Sequence, residues 1–229
     1  MGYDIRRRSW FGPRNRMEMM RRLGINLVLD VGANDGSYAA EVRADGYEGR
    51  IWSFEPMREP FSRLDKLTTR DPLWKAINTG CGAVAGSATI HVAGNSYSSS
   101  LLPMVETHVL REPTSAYVAE ETVSICSLDE SVMPQLSPDD KLWLKIDTQG
   151  YEAEVLKGAQ KLAANILALE CELSLIPLYE GQMLIDQMLA LIYAMGFRMV
   201  GVAPVFLEPE TSYMLQVDGI FLKGTSGRD

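Results

Sequence analysis

The stretch that decides the fold is LVLDVGANDGSY, residues 27–38. Together with the two residues before it, it begins INLVLDV, apolar on both faces and rich in β-formers, which reads as a buried parallel strand. The strand runs into Asp30, then a glycine-bracketed turn, then the start of a helix. A turn of this kind holds a small molecule against bare backbone. The dinucleotide pattern GxGxxG uses its second glycine to let backbone approach a pyrophosphate. Here Asn34 stands in that place, between Gly32 and Gly36.

Those departures point to a different ligand. A carboxylate at Asp30, at the carboxyl end of the strand, repels a pyrophosphate and attracts a cation. The turn therefore suits a nucleoside that carries an ammonium group, and S-adenosylmethionine has an amino-acid end, a sulfonium and an adenosine. Glu55 adds to this reading. It closes the next strand, 19 residues after Gly36, where an acidic side chain accepts both ribose hydroxyl protons. Gly80-Cys81-Gly82 ends the third strand, where an adenine can lie against backbone around Cys81, or where the glycines simply make a turn.

Outward from the turn the pattern is strand, helix, strand, helix, strand, the mark of a doubly wound sheet. Residues 37–46 read as a helix capped by Gly46, GRIWSFEP as a strand, 58–69 as a helix and LWKAINTGCG as a strand. AVAGSATIHVAG (83–94) alternates around Ala-Gly-Ser and predicts an inserted β-hairpin. Residues 94–120 are polar and irregular, and a loop of that length is a substrate or lid loop or is disordered. ETVSICSL reads as an extra edge strand. The α/β rhythm then resumes with a strand at 141–147, a helix at 151–163, a strand at NILALECEL and a helix at 183–196. In that last helix Leu184, Met188, Leu191 and Met195 form a core stripe rather than a cofactor box. Two final strands joined only by a loop should be antiparallel. The expectation is a Rossmann-like α/β fold with a seven-stranded, mostly parallel sheet. Residues 1–24 form a basic helix or extension and 25–229 a single domain.

Composition narrows the function classes. A chain of 229 residues with 46% apolar and 23% charged residues is that of a soluble globular protein. A net charge of −8 argues against a general grip on nucleic acid. Three cysteines far apart in sequence, Cys81, Cys126 and Cys171, form no CxxC pair, which predicts neither a disulfide framework nor a zinc site and fits a reducing cytoplasm. His91 and His108 lack metal-site spacing, so no metal is expected. The longest apolar run, 188–195, is far short of the roughly 20 residues of a membrane span. Arg6, Arg7, Arg8, Arg14, Arg16, Arg21 and Arg22 crowd the start without the apolar stretch of an export signal, and read as a solvated face or as a contact with an acidic partner.

Further candidates sit at strand ends. Asp147, in KIDTQGYEAEVLKGA, lies at the carboxyl end of the fourth strand beside the switch point. It can orient a cofactor, bind substrate, act as a base, or cap the following helix. Glu152 is a substrate contact or a residue suited to the helix dipole. Glu170, ending ILALE, is a substrate contact, and Tyr151 a wall of the pocket. His108, in the long loop, is a second candidate base with a suitable intrinsic pKa, while His91 is structural.

Taken together, LVLDVGANDGSYAAEVR, IWSFEP, LKIDTQGYEAEVLKGA, ALECEL and DGIFLK resemble the FkbM family of S-adenosylmethionine-dependent methyltransferases, from residue 27 to about 222. The resemblance implies a class I methyltransferase sheet and O-methylation of a hydroxyl on a sugar, a glycan or a secondary metabolite. It implies Asp30, Gly32 and Glu55 as cofactor contacts and Asp147 with Glu152 as a second signature, and SSSLL, with Ser99, is similar to a serine patch before the acceptor region. Many members carry Glu where Gln149 stands, which weakens the case for a divalent metal here. Competing readings are a catalytically silent cofactor-binding module of the same fold and a nicotinamide-dependent dehydrogenase, against which Asp30 and Asn34 speak. Base methylation of nucleic acid is disfavoured because DTQGY has no prolines. Acceptor identity and assembly into a homo-oligomer stay open.

Overall fold

Residues 27–31 form a strand buried at all five positions, and the rest of the molecule is arranged around it. The structure, a computed structural model, describes residues 13–208 and 210–224; Arg6, Arg7 and Arg8 of the basic cluster lie outside them. The first elements are α1 (Pro13–Leu23), β1 (Leu27–Val31), α2 (Ser37–Ala44), β2 (Arg50–Phe54), α3 (Arg58–Thr68) and β3 (Trp74–Ile77). A middle section adds β4 (Gly80–Cys81), β5 (Gly86–Ala93), α4 (Glu106–Arg111), β6 (Tyr117–Cys126) and α5 (Leu128–Ser131). Then come β7 (Leu142–Ile146), α6 (Glu152–Lys157), β8 (Ile166–Ser174), α7 (Ile185–Ala194), β9 (Phe197–Leu207) and β10 (Met214–Lys223).

Seven strands make one sheet in the order β3-β2-β1-β7-β8-β10-β9. The first five positions are mutually parallel, and β10 is antiparallel to both of its neighbours. The short link between β9 and β10 explains the reversal, since a parallel return needs a long crossover. Side-chain alternation then sorts the core into two layers. Leu27, Leu29 and Val31 pack with Val155 and Leu156 of α6 and Ile192 of α7. Val28 faces the other way, with Met17 and Met20 of α1, Val42 of α2 and Leu64 of α3. Helices on both faces are what make β1 read as continuously apolar. Among the described residues no helix is long and apolar enough to cross a membrane.

Four local expectations change. The hairpin predicted within 83–94 is instead one long strand, β5, paired antiparallel with β6 across the intervening segment. LWKAINTGCG divides: β3 joins the large sheet, while β4 pairs parallel with β6 in a second sheet of order β4-β6-β5. The long loop contains α4 and a 3-10 turn at Pro113–Ser115, and β6 begins at Tyr117. The helix predicted over 151–163 stops at Lys157. A Cβ on Gly158 would lie 2.0 Å from the Gly82 carbonyl oxygen, so the chain turns there with its backbone against the end of β4. Of the predicted stripe, Met188 is buried and Leu191 and Met195 pack partly covered against the core, while Leu184 is the N-cap of α7 and Ile192 is the other buried position.

Candidate active site

The strand order reverses between β1 and β7, and a cavity of about 250 Å³ opens at the carboxyl ends of those strands. Open α/β sheets bind ligands at this position. Gly32 enters the turn after β1 with φ +80°, and a Cβ there would sit 1.8 Å from the Asp147 carbonyl oxygen. Asn34 follows in the left-handed region at φ +47°. Its amide donates to Glu55 Oε2 at 2.9 Å, and the Met57 amide donates to Glu55 Oε1 at 2.8 Å. The carboxylate at the end of β2 is thus fixed by one backbone donor per oxygen, with remaining lone pairs toward the cavity it lines. Burial pushes the Glu55 pKa up to about 7 against these donors.

A cover lies over the opening. Ser96, at φ +58°, accepts from Asn34 Nδ2 at 3.4 Å, and the Tyr97 hydroxyl donates to Asp35 at 3.2 Å. Ser100 Oγ donates to the Gln149 carbonyl oxygen at 2.6 Å, and Ser99 Oγ accepts from the Ala93 amide at 3.0 Å. Ser98, Ser99 and Ser100 are all buried. Ser99, Leu101 and Tyr97 line the cavity, and so do Gly80, Cys81 and Tyr151 opposite them.

On the β7–β8 side of the cavity stands a polar network. Asp147 accepts from Lys145 Nζ at 2.9 Å on Oδ2 and from Gln149 Nε2 at 2.8 Å on Oδ1. Gln149, itself left-handed at φ +54°, also donates from Nε2 to Glu172 Oε2 at 2.9 Å. The Tyr179 hydroxyl donates to Gln149 Oε1 at 2.8 Å. Gln216 Nε2 donates to Glu172 Oε2 at 2.6 Å. Lys145 stays charged although burial opposes it, because Asp147 and Asp30 face it.

Of the residues expected from sequence, Gly32, Asn34, Glu55, Cys81, Ser99 and Asp147 line the cavity. Five others are placed elsewhere. Asp30 is fully buried beneath the turn, accepting from Ser53 Oγ at 3.0 Å, with burial raising its pKa to about 6 against the pull of Lys145. The cation it attracts is internal. Gly36, at φ +88°, starts α2 and presses against Leu64 of α3. Glu152 holds the turn before α6, accepting from the amides of Thr148 at 2.9 Å and Gly150 at 3.1 Å. His108 is buried in α4, edge-on to Tyr179, and burial lowers its pKa. It is not on the cavity wall, which removes it as a base.

Glu170 is the fifth. It accepts from the Tyr38 hydroxyl (2.7 Å) and Trp143 Nε1 (3.1 Å) and pairs with Arg16 (3.0 Å), so α1 and α2 cover it. Arg16 of the basic cluster is thereby spent inside the molecule. Residues 170 and 172 share a face of β8, and Glu172, nearer the carboxyl end, is the one that reaches the cavity. Alternation combined with the strand-end rule would have found it. Glu170→Ala leaves the Tyr38 and Trp143 donors unpaired and takes one of two carboxylate partners from Arg16, which keeps Glu41 at 3.1 Å, and should cost about 3 kcal/mol, roughly 6–12 °C in Tm. Ligand affinity should not change; a weakened affinity in calorimetry would show that Glu170 belongs to the site.

His91 is structural as expected: it stacks on Tyr117 at 4.9 Å and lies 3.1 Å from Glu120. Cys81 and Cys126, distant in sequence, meet at the β4–β6 pairing with sulfurs 4.0 Å apart, and all three cysteines are free. Among the described residues no group of three or more His, Cys, Asp or Glu is placed to hold a metal.

Buried acids set a pH signature. Burial raises Asp30 to about 6 and Glu55 to about 7, and burial with Asp147 repulsion raises Asp218 to about 7. The folded chain therefore keeps protons that the unfolded chain releases near pH 4, so stability falls as pH climbs from about 4.5 to 7 and levels above. Tm should be at least about 5 °C higher at pH 5.5 than at pH 8. A rising Tm over that interval, read by calorimetry, would contradict these protonation states.

A mostly parallel seven-stranded sheet with one reversed strand and a cavity at its switch point is the class I S-adenosylmethionine methyltransferase fold. The sequence matches the methyltransferase FkbM domain over residues 30–199, and the chain belongs to that family. A methyltransferase FkbM from Methylobacillus flagellatus KT superposes at a TM-score of 0.52 with 14% identity, covering 85% of this chain and 43% of that one. The chain therefore spans less than half the length of that protein. Magnesium protoporphyrin IX methyltransferase from Synechocystis PCC 6803, solved with bound SAM, superposes at 0.51 with 10% identity, covering 92% of this chain and 76% of that one. At these identities both show the fold alone. No curated protein matches the sequence.

Proposed function

We propose that the chain transfers a methyl group from S-adenosylmethionine to a hydroxyl oxygen of a sugar, glycan or secondary metabolite. The observation that carries the cofactor reading is Glu55, a carboxylate fixed by the Asn34 and Met57 amides with free lone pairs on the cavity wall. Such a group suits two adjacent ribose hydroxyls. Gly32 and Asn34, with Asp147 across from them, would hold the amino-acid end, and Cys81 with its flanking glycines would back the adenine. S-adenosylmethionine supplies an electrophilic methyl on a sulfonium that leaves readily.

The protein then has to align the acceptor, exclude water and accept a proton. Ser96 to Ser100, tied to both rims, cover the cavity. Gln149, Ser99 and Glu172 offer hydrogen-bonding groups of both signs beside it, which suits a polyhydroxylated acceptor better than an apolar one. The net charge of −8 disfavours a nucleic-acid acceptor. In this reading residues 25–229 are the methyltransferase domain, α1 is its buttress, and the free thiols fit a cytoplasmic setting.

The test has two arms. S-adenosylhomocysteine should raise Tm by several degrees while NADH leaves it unchanged; the reverse would return the dehydrogenase reading. Labelled methyl from S-adenosylmethionine should then appear on methyl pyranosides. S-adenosylhomocysteine binding with no transfer to any hydroxyl, amine or thiol acceptor offered would leave a silent binding module.

A further inference from the structure

Glu55, Cys81, Asp147 and Glu172 line the cavity and Glu152 holds the turn beside it, and all but Glu172 are already committed. Both oxygens of Glu55 accept backbone amides. Both oxygens of Asp147 are taken, Oδ2 by the Lys145 ammonium and Oδ1 by the Gln149 side-chain amide. Glu152 is tied to the Thr148–Gly150 turn, and the Cys81 thiol is buried and pushed well above its ordinary range by that burial. Glu172 differs. Gln149 and Gln216 both donate to its Oε2, at 2.9 and 2.6 Å, and Oε1 has no hydrogen-bonding partner among the described residues. The side chain is 6% exposed and lies on the cavity wall beside Asp147.

We propose that Glu172 is the catalytic base: its Oε1, presented to the cavity while Gln149 and Gln216 pin its Oε2, takes the proton of the acceptor hydroxyl. This rests on the methyltransferase reading above. The acceptor oxygen forms its bond to the methyl carbon with its own lone pair, and the carbon–sulfur pair stays on sulfur. The hydroxyl proton moves to Oε1. Alcohol, sulfonium and carboxylate become ether, thioether and carboxylic acid, so charge and atoms balance. Gln149 and Gln216 are positioning residues. The left-handed backbone at Gln149 aims one amide at Asp147 and Glu172 together.

The surroundings favour a stronger base than an ordinary carboxylate. Burial raises the Glu172 carboxyl well above its usual range, and Asp147 of β7, Glu152 of α6 and Asp218 of β10 add to it. Lys145 of β7 pulls the other way, and the Tyr179 hydroxyl faces the same cluster through Gln149. A base in this range is more effective than an ordinary carboxylate.

The test compares wild type with Glu172→Gln in three measurements. Calorimetric affinity for S-adenosylhomocysteine should agree within about threefold; a loss beyond tenfold would make Glu172 a cofactor group and overturn the proposal. Absence of binding to wild type would overturn the methyltransferase reading instead. With glutamate labelled at its carboxyl carbon, one resonance, assigned by its absence from the variant, should titrate well above the ordinary carboxylate range in the S-adenosylhomocysteine complex. Glu172→Asp serves for the assignment should the amide variant not fold. Titration below pH 5 overturns the proposal. Finally, transfer to methyl pyranosides should fall about 10²- to 10⁴-fold in kcat, with KM little changed and the acidic limb of the pH profile gone. Turnover within tenfold of wild type, or an unchanged pH profile, overturns it. If wild type binds S-adenosylhomocysteine yet methylates no pyranoside, the acceptor class is wrong and the carboxyl titration alone decides the role of Glu172.

Discussion

Gly32→Ala should lower Tm by about 10–20 °C or prevent folding, the largest stability effect of any single methyl group in this chain. The Cβ would sit 1.8 Å from the Asp147 carbonyl oxygen, and that oxygen belongs to backbone held against β1 by the Asp147 amide, which donates to Val31 O at 3.0 Å. Neither partner can retreat without parting the two central strands. The left-handed φ of +80° adds strain for any side chain. Together these reach about 5 kcal/mol or more, and each kcal/mol is worth about 2–4 °C in a chain of this size. Gly36→Ala is the control. Its φ is equally left-handed, at +88°, but its Cβ would meet a Leu64 methyl at 2.9 Å, the end of a flexible side chain. The cost there should be about 2 kcal/mol. Equal losses at the two glycines, read by differential scanning calorimetry, would refute the close approach between the β1 turn and β7.

The second large effect is on binding. Glu55→Gln should weaken S-adenosylhomocysteine about 30- to 150-fold, or about 2–3 kcal/mol. Each Glu55 oxygen accepts a backbone amide, and a glutamine offers only one acceptor oxygen. Its NH2 group must face either the Asn34 or the Met57 amide, donor against donor. The substitution therefore disturbs the Asn34 turn and removes the negative charge proposed to receive the ribose hydroxyls. Isothermal calorimetry at pH 8, where the native carboxyl is ionised, gives the cleanest comparison. An affinity unchanged within threefold would take the ribose away from Glu55.

How much of this was legible follows from where the contacts are local. β1, its turn, β2 with Glu55, and β7 with Asp147 were readable because each is a short apolar strand ending in a polar residue. Helices on both faces force that pattern. The middle of the chain was not. β5 pairs with β6, whose sequence lies beyond α4, and β3 and β4 are one apolar-looking run divided between two sheets. No local pattern records a pairing across such a distance. The same holds for the polar network at the ends of β7 and β8, where Gln149, Tyr179 and Gln216 come from three separate segments. Glu170 and Glu172 show the finer limit. Both are acidic residues on one face of β8, and only the position of α1 and α2 decides which is covered by Arg16 and Tyr38 and which lines the cavity.

The division of the third strand has a mechanical meaning. Cys81, which backs one wall of the cavity, is in register with Cys126, and the strand carrying Cys126 is in register with the one that leads into the cover. The opposite wall, with Gly32, Asp147 and Glu172, belongs to the large sheet. The cavity is thus a seam between two sheets, latched by side chains at Asn34–Ser96, Tyr97–Asp35, Ser100–Gln149 and Tyr179–Ser98. Opening the cavity along that seam would break those four contacts, and the wall at Cys81 and the cover at Ser96 to Ser100, which one small sheet carries, lie together on one side of it.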